Sequence, residues 1–287
     1  MMAATSTGRR FSSRATAARF GVWSGLAVIT VWTLAPIAVM VFTSFKPSGE
    51  IFQIPPTLLP SDWTLENYVS VFTTSSMPQA LRNSVVVGLL VALMTLTLGT
   101  SAGYALARIS FRGARSISLF ILLGQMVPLT VLLLALFRMI NALGFNDTVV
   151  GVAMAHLVIT LPLVTWMIRN QIAAIPYELE EAAMVDGCSR LDAFLYAVLP
   201  VAGPGLAAAG MFAFLQSWHE FVLASVLTRS DRSRTAPVAL TEFATEFDVD
   251  WGATMAASVI LTVPLVIAFV ALQRYLVNGL TGGAVKG

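Results

Sequence analysis

Few side chains in this sequence are of the kinds that do chemistry, and the densest group lies in Tyr177–Pro200, YELEEAAMVDGCSRLDAFLYAVLP. Glu178, Glu180 and Glu181 follow Pro176, whose missing N–H suits a first helical position. Carboxylates there meet the positive end of a helix. Leu179, Ala182 and Ala183 fall on one face, and two of the three are small, so another surface can approach the backbone closely. Gly187 supplies a left-handed stop, and Ser189 with Asp192 makes a capping-box-like restart. Leu191, Phe194, Leu195 and Val198 then recur at helical spacing until Pro200 interrupts the pattern. The expectation is two short helices joined at a glycine, an acidic elbow built to dock rather than to break bonds.

The second candidate is Glu220 in Gln216-Ser217-Trp218-His219-Glu220-Phe221, an acid well inside an apolar run. A carboxylate at mid-membrane costs at least about 2.5 kcal/mol and faces a polar interior or water. One reading puts Glu220 on a solute path, with Trp218 as a stacking face. The other, which carries more weight, has it hydrogen-bonded to a neighbouring helix. Asn83, Ser84, Gln125 and Met126 are polar or soft residues near span ends or a mid-span proline, better read as helix–helix contacts than as solute contacts. His156 reads as a packing histidine and Cys188 as a small residue beside Gly187. No G-x-x-x-x-G-K-[ST] phosphate cradle and no H-E-x-x-H occurs. The chain is therefore not expected to be an enzyme or to hydrolyse a nucleotide by itself. One cysteine and two separated histidines give a metal site no support.

The elements that must position these residues follow from composition. Hydrophobic residues make up 57% of the 287 residues and charged residues 11%, with a mean hydropathy of +0.80. A soluble domain carries roughly 25% charge, so lipid is the expected solvent. The net charge of +2 makes no case for nucleic acid. Apolar runs at 20–45, 83–107, 116–137, 148–168, 203–228 and 251–273 each reach the roughly 20 residues that a helix needs to cross a bilayer. The fold class expected is all-α, polytopic, with six transmembrane helices. Gly21/Gly25 and Gly99/Gly103 would let helices approach closely, and Pro36, Pro128, Pro162 and Pro264 predict kinks. Residues 1–19, with Arg9, Arg10, Arg14 and Arg19, read as a basic tail, and the run after it is too long for a signal core. An N-terminus on the inside puts the larger share of the 17 Lys and Arg on the cytoplasmic side, as the positive-inside rule requires. The outer side then holds Lys46, Arg82, Arg138, Arg229, Arg232 and Arg234. Both termini and the elbow fall in the cytoplasm.

The order Glu181-Ala182-Ala183, three residues, Gly187, nine residues, Ala197-Val198-Leu199-Pro200 resembles the "EAA" signature of bacterial ABC-importer membrane subunits. Asp186 and Pro204 also fit, while Ala197 stands where the usual form has Ile. The ending Gly279-Leu280-Thr281-Gly282-Gly283-Ala284-Val285-Lys286-Gly287 is similar to that of the carbohydrate-import permeases of the maltose-transporter type, second permease subunit. Related permeases commonly carry Trp-Asn-Glu or Trp-Asn-Asp where this chain has Trp218-His219-Glu220, so His219 departs from the family.

The resemblance implies a type I ABC-importer core in the inner membrane. Its expected organisation is a basic tail at 1–19, a first span and external loop at 20–77, a five-helix core at 78–275 with the coupling loop at 177–200, and a C-terminal tail at 276–287. Glu181, Ala182, Ala183, Asp186, Gly187, Leu199 and Pro200 would couple to a separate ATPase subunit. Gly279, Leu280, Thr281 and Lys286 would lie along that interface. Trp218, His219, Glu220, Asn83 and Gln125 would be candidates for the translocation path. ATP and Mg would be held by an ATPase dimer, not by this chain. The other expected partners are a second similar permease and an extracytoplasmic solute-binding protein, which segments 44–82 and 229–250 could receive. The cargo implied is a sugar or oligosaccharide, with glycerol 3-phosphate or a polyol as alternatives. An ion-driven secondary transporter would need several intramembrane acids and often an inverted repeat, neither of which the sequence has.

Overall fold

Apolar runs fold as helices in lipid because no water is there to pair the backbone. The computed structural model of the chain follows that rule, with one isolated bridge between Ala244 and Val249 outside the helices. It describes the backbone of residues 9–244 and 249–281, and the side chains of residues 19, 21–244 and 249–270. Five described helices are long and apolar enough to cross a membrane, and a sharply bent pair makes a sixth span if counted as one. The chain divides into two compact units, residues 1–69 with 250–259, and residues 70–249 with 260–287.

In the first unit, α1 (Arg9–Ser44) continues straight out of the arginine-bearing segment, so residues 9–19 are helical rather than a loose tail. Its apolar side chains are exposed, Trp32 at 82%. A Cβ at Gly21 or Gly25 would meet nothing within 4 Å among the described residues. Beyond α1 the proline-rich segment is tied together by buried polar groups around α2 (Ser48–Ile51). Thr57 donates to Glu50 at 3.0 Å, the Ser61 N–H donates at 2.9 Å, and Lys46 donates to the Thr57 carbonyl at 2.5 Å. Asn67, at the start of α3 (Glu66–Thr74), closes the segment by donating to the carbonyls of Ser44 and Lys46, each at 2.9 Å.

The second unit is built on α4 (Met77–Arg108), α7 (Val149–Ala173) and α10 (Leu199–Trp218), which pack against one another. Small residues make this possible. A Cβ on Gly103 would lie 3.0 Å from the Arg169 backbone nitrogen, and one on Gly210 would lie 2.7 Å from Leu96. The Gly99/Gly103 pair is thus the close α4–α7 approach that its spacing predicts. Val164, Ile168 and Ile172 of α7 bury against Ala202, Ala209 and Ala213 of α10.

The run expected to cross as one helix over 116–137 does not. It forms α5 (Ala114–Gly124) and α6 (Leu129–Ala142), bent by 100° at the break before Pro128. Pro128 cannot donate, and it disfavours helical backbone in the residue before it. By contrast Pro36, Pro162, Pro204 and Pro264 are carried inside helices.

The run expected at 203–228 is also displaced. The continuous span is 190–218, made of α9 (Arg190–Ala193), a π-helical turn (Phe194–Val198) and α10. The chain then breaks at His219–Phe221 and resumes as α11 (Val222–Leu227). Pro200 does not end the helix, because it sits in the first turn of α10, where an N–H is dispensable. The short α12 (Ala236–Ala239) precedes α13 (Trp251–Thr281), which carries 276–281 into the segment expected as a tail. Lys286 lies outside the described residues.

Candidate functional site

The elbow begins where Ile175-Pro176 ends α7 and α8 (Glu178–Val185) starts. Only one of its three leading acids turns inward. Glu180 is 2% exposed and accepts from Arg108 Nε at 2.5 Å and from the Tyr104 hydroxyl at 2.9 Å. Arg108, itself 8% exposed, also donates to the Ile175 carbonyl at 2.7 Å and lies 5.6 Å from the centre of the Tyr177 ring. Tyr104 packs on Phe194 of the π turn with centroids 4.4 Å apart. The last turn of α4 therefore grips both limbs of the elbow, one through an ion pair and one through an aromatic contact.

The turn itself is closed by its own backbone. Gly187 has φ +95, the Gly187 N–H bonds the Met184 carbonyl at 3.1 Å, and the Cys188 N–H bonds the Ala183 carbonyl at 3.0 Å. This pairing satisfies two carbonyls left over at the end of α8. Ser189 then accepts from the Asp192 N–H at 3.2 Å, and the Asp192 carboxylate accepts from the Ser189 N–H at 3.2 Å. The capping box read from the sequence is present. The result is a rigid rim on which Glu181, Ala182, Val185, Asp186, Gly187 and Leu191 are exposed, Val185 at 86%. Ala183 is half-buried, and Leu199 and Pro200 sit one helical segment away at the start of α10. Sequence spacing missed Arg108, Tyr104 and the inward turn of Glu180. Their partners lie 72 and 76 residues away, beyond any helical period.

The candidates for a solute path are not brought together. Glu220 is 8% exposed. It accepts from the N–H groups of Leu223 at 2.8 Å and Ala224 at 3.0 Å, capping α11, and lies 2.9 Å from His156 Nε2. His156 Nδ1 lies 2.8 Å from the Ser217 hydroxyl, so α7, α10 and α11 are pinned at one polar point. Trp218 is 1% exposed and stacks on Phe214 at 5.6 Å, while His219 is exposed. Asn83 donates to the carbonyls of Asp231 and Arg234, both at 2.9 Å, and Ser84 accepts from the Ala236 N–H at 2.8 Å. Gln125 borders a cavity of about 570 Å³ at the α5–α6 break, and Trp218 borders a separate one of about 370 Å³ with Leu81, Arg82 and Pro264.

One spacing in the sequence also fits a catalytic pattern: Gly99-Thr100-Ser101-Ala102-Gly103 is a G-x-S-x-G. Such a serine acts from a sharp strand-to-helix turn. Ser101 instead lies inside unbroken α4 and donates to the Thr97 carbonyl at 2.8 Å. No group of three His, Cys, Asp or Glu side chains placed to hold a metal occurs among the described residues.

A second acid, the half-buried Asp147, ties the α6–α7 connection to the loop after α11. Asp147 accepts from the Arg229 N–H at 2.8 Å, from the Ser230 N–H at 3.0 Å, and from the hydroxyls of Ser230 at 2.7 Å and Ser233 at 2.5 Å. Burial alone would raise this carboxyl, but the donors outweigh it and hold the group well below the usual carboxylate range.

Residues 95–282 match the family described as "binding-protein-dependent transport system inner membrane component". The chain belongs to that family. The permease is 36% identical over 268 residues to the diacetylchitobiose uptake system permease protein DasC of Streptomyces coelicolor, covering 93% of this chain and 97% of that one. It is also 36% identical over 266 residues to the trehalose/maltose transport system permease protein MalG of Thermococcus litoralis, covering 92% and 95%. Its fold resembles that in a crystal structure of a bacterial ABC transporter involved in the import of the acidic polysaccharide alginate. The TM-score is 0.77 at 20% identity, over 96% of this permease and 99% of that chain. The protein is thus a multi-pass inner-membrane permease of the ABC-importer type and not an enzyme.

Proposed function

We propose that this permease forms half of the translocation path for a carbohydrate delivered by an extracytoplasmic solute-binding protein, beside a second similar permease. A partner ATPase dimer holds the ATP and Mg, and its closure moves the elbow. Both termini and the elbow face the cytoplasm in this reading, in keeping with the distribution of arginines.

The observation that carries the proposal is the build of the elbow. A protruding acidic rim, set by the left-handed Gly187, is rooted through Glu180 and Arg108 in a membrane helix that packs on α7 and α10. A force applied to that rim is delivered to the bundle rather than absorbed by a loose loop. The names of the relatives supply the cargo class, since DasC and MalG are named for oligosaccharide or disaccharide transport. Glu181, Ala182, Asp186 and Gly187 would meet the ATPase directly. Ala183, Leu199 and Pro200 would set the shape behind them, and Gly279, Leu280, Thr281 and Lys286 would run along the same partner.

Reconstitution tests this reading. The permease would be placed in proteoliposomes with its second permease and ATPase and supplied with loaded binding protein. ATP-dependent sugar uptake is expected, and none without the binding protein or with an ATPase-dead partner. Uptake driven by an ion gradient through this chain alone would overturn it.

A further inference from the structure

A transmembrane helix that breaks in mid-run leaves backbone groups without helical partners, and lipid cannot satisfy them. Such breaks persist where they are buried in protein or line a wet cavity. The α5–α6 break has a cavity of about 570 Å³ against it, lined by Gln125, Met126, Val127 and Pro128 of the break, Val158, Ile159 and Pro162 of α7, and Gln216 of α10, among others. That size lies within the roughly 300–1,000 Å³ usual for small-molecule sites.

Its polar groups are of one kind. Pro162 has no N–H to offer the Val158 carbonyl one turn earlier, so a second backbone acceptor is freed on the α7 wall. Gln125 makes a single long bond, 3.3 Å from its Nε2 to the Ile159 carbonyl, which leaves its oxygen available. Gln216 is exposed, and no side-chain hydrogen bond holds it among the described residues. No Asp, Glu, Lys, Arg or His lines the cavity. Primary amides and free carbonyls offer both donors and acceptors without net charge, the complement of a hydroxyl-rich neutral solute. An anionic cargo would find no counter-charge there, and dehydrating it would go uncompensated.

We infer that the α5–α6 break is a solute subsite of this subunit, in which Gln125 and Gln216 hydrogen-bond the hydroxyls of a neutral saccharide during passage. The inference rests on the proposed importer function and adds to it both the residues and the charge class of the cargo. Leu129, Leu132 and Ile159 give the cavity an apolar floor for the C–H faces of the sugar ring.

The test uses the complete importer in proteoliposomes, with radiolabelled maltose, trehalose and diacetylchitobiose as probes and glycerol 3-phosphate as the charged control. The double variant Gln125→Leu/Gln216→Leu should lower the uptake rate of the transported sugar at least tenfold, and Gln125→Asn/Gln216→Asn should recover part of that loss. A second measurement, independent of how the leucine variant assembles, uses Gln125→Cys in a Cys188→Ser background. The transported sugar should slow maleimide labelling of that cysteine in the assembled importer, and glycerol 3-phosphate should not. Wild-type uptake of a sugar with unchanged uptake by the leucine variant, or labelling insensitive to that sugar, overturns the subsite while leaving the importer function intact. A cysteine that instead cross-links to the second permease, with the cavity filled by protein, overturns it too. A wild-type assembly that takes up glycerol 3-phosphate but none of the sugars overturns both the subsite and the carbohydrate reading.

Discussion

Replacing Glu180 by alanine removes one partner of a pair that is 8% and 2% exposed, and leaves Arg108 buried with only the Ile175 carbonyl and the Tyr177 ring. Breaking a buried ion pair from one side costs about 3–5 kcal/mol, because the remaining charge stays desolvated and unpaired. α8 has eight residues, too few to hold together without tertiary contacts. The loss therefore falls on the docking of the elbow rather than on the bundle, whose core residues Val164, Ile168 and Ile172 are untouched. At about 1.4 kcal/mol per decade, even the lower figure raises the undocked population about a hundredfold. Hydrogen exchange on the purified permease in nanodiscs reads this directly. Amides of 180–188 should exchange about a hundredfold faster in Glu180→Ala, while those of α7 from Val152 to Ile168 keep their protection. A double change, Arg108→Met with Glu180→Leu, removes both charges and should restore much of the protection. Unchanged exchange in the elbow, or equal acceleration throughout α4 and α7, would refute the argument that this pair roots the elbow.

Three further outcomes follow from particular residues. Gly187→Val forces a β-branched side chain to φ +95, at a cost of roughly 1–2 kcal/mol. Nothing lies within 4 Å of the new Cβ, so the variant should assemble in the membrane yet transport less per ATP hydrolysed, as uptake and phosphate release measured together will show. Gly103→Ala places a Cβ 3.0 Å from the Arg169 nitrogen and 3.1 Å from Ile168, and overpacking of this kind costs about 1–3 kcal/mol, read as a lower melting temperature. Asp147 has its folded pKa below its unfolded one. The stability that it contributes is therefore complete above the unfolded value of about 3.9 and is lost as pH falls through the folded value. The melting-temperature gap between wild type and Asp147→Asn should be constant from about pH 8 to pH 5 and shrink only below about pH 4. A gap that changes between pH 5 and 8 would contradict this assignment.

Local rules are what sequence reads well, and the elbow is almost entirely local. The acids of the first turn, the left-handed glycine and the Ser189–Asp192 box all act within a few residues, and each stands where its spacing puts it. The small-residue pair Gly99/Gly103 was equally legible, since close helix approach needs no distant partner to be named. What escaped were outcomes decided by competition. Pro128 breaks a span while Pro36, Pro162, Pro204 and Pro264 ride inside theirs, and the position of a proline in an apolar run does not by itself separate the two outcomes. The displaced fifth run is a second such case. A π turn at 194–198 carries the helix past Pro200, and Glu220 ends the crossing by turning its carboxylate to cap α11. Whether Glu180 or Glu181 faces inward was undecidable from spacing, because the deciding residue, Arg108, stands 72 positions earlier.

The central claim is that the exposed rim of the elbow presses on a nucleotide-hydrolysing partner. Val185, 86% exposed on that rim, is the position to mark. A photo-crosslinking amino acid at 185, activated in the assembled importer in native membranes, should yield an adduct of the permease with its ATPase subunit, and the yield should change when ATP is bound. Adducts with lipid or with the extracytoplasmic binding protein, and none with the ATPase, would contradict the account.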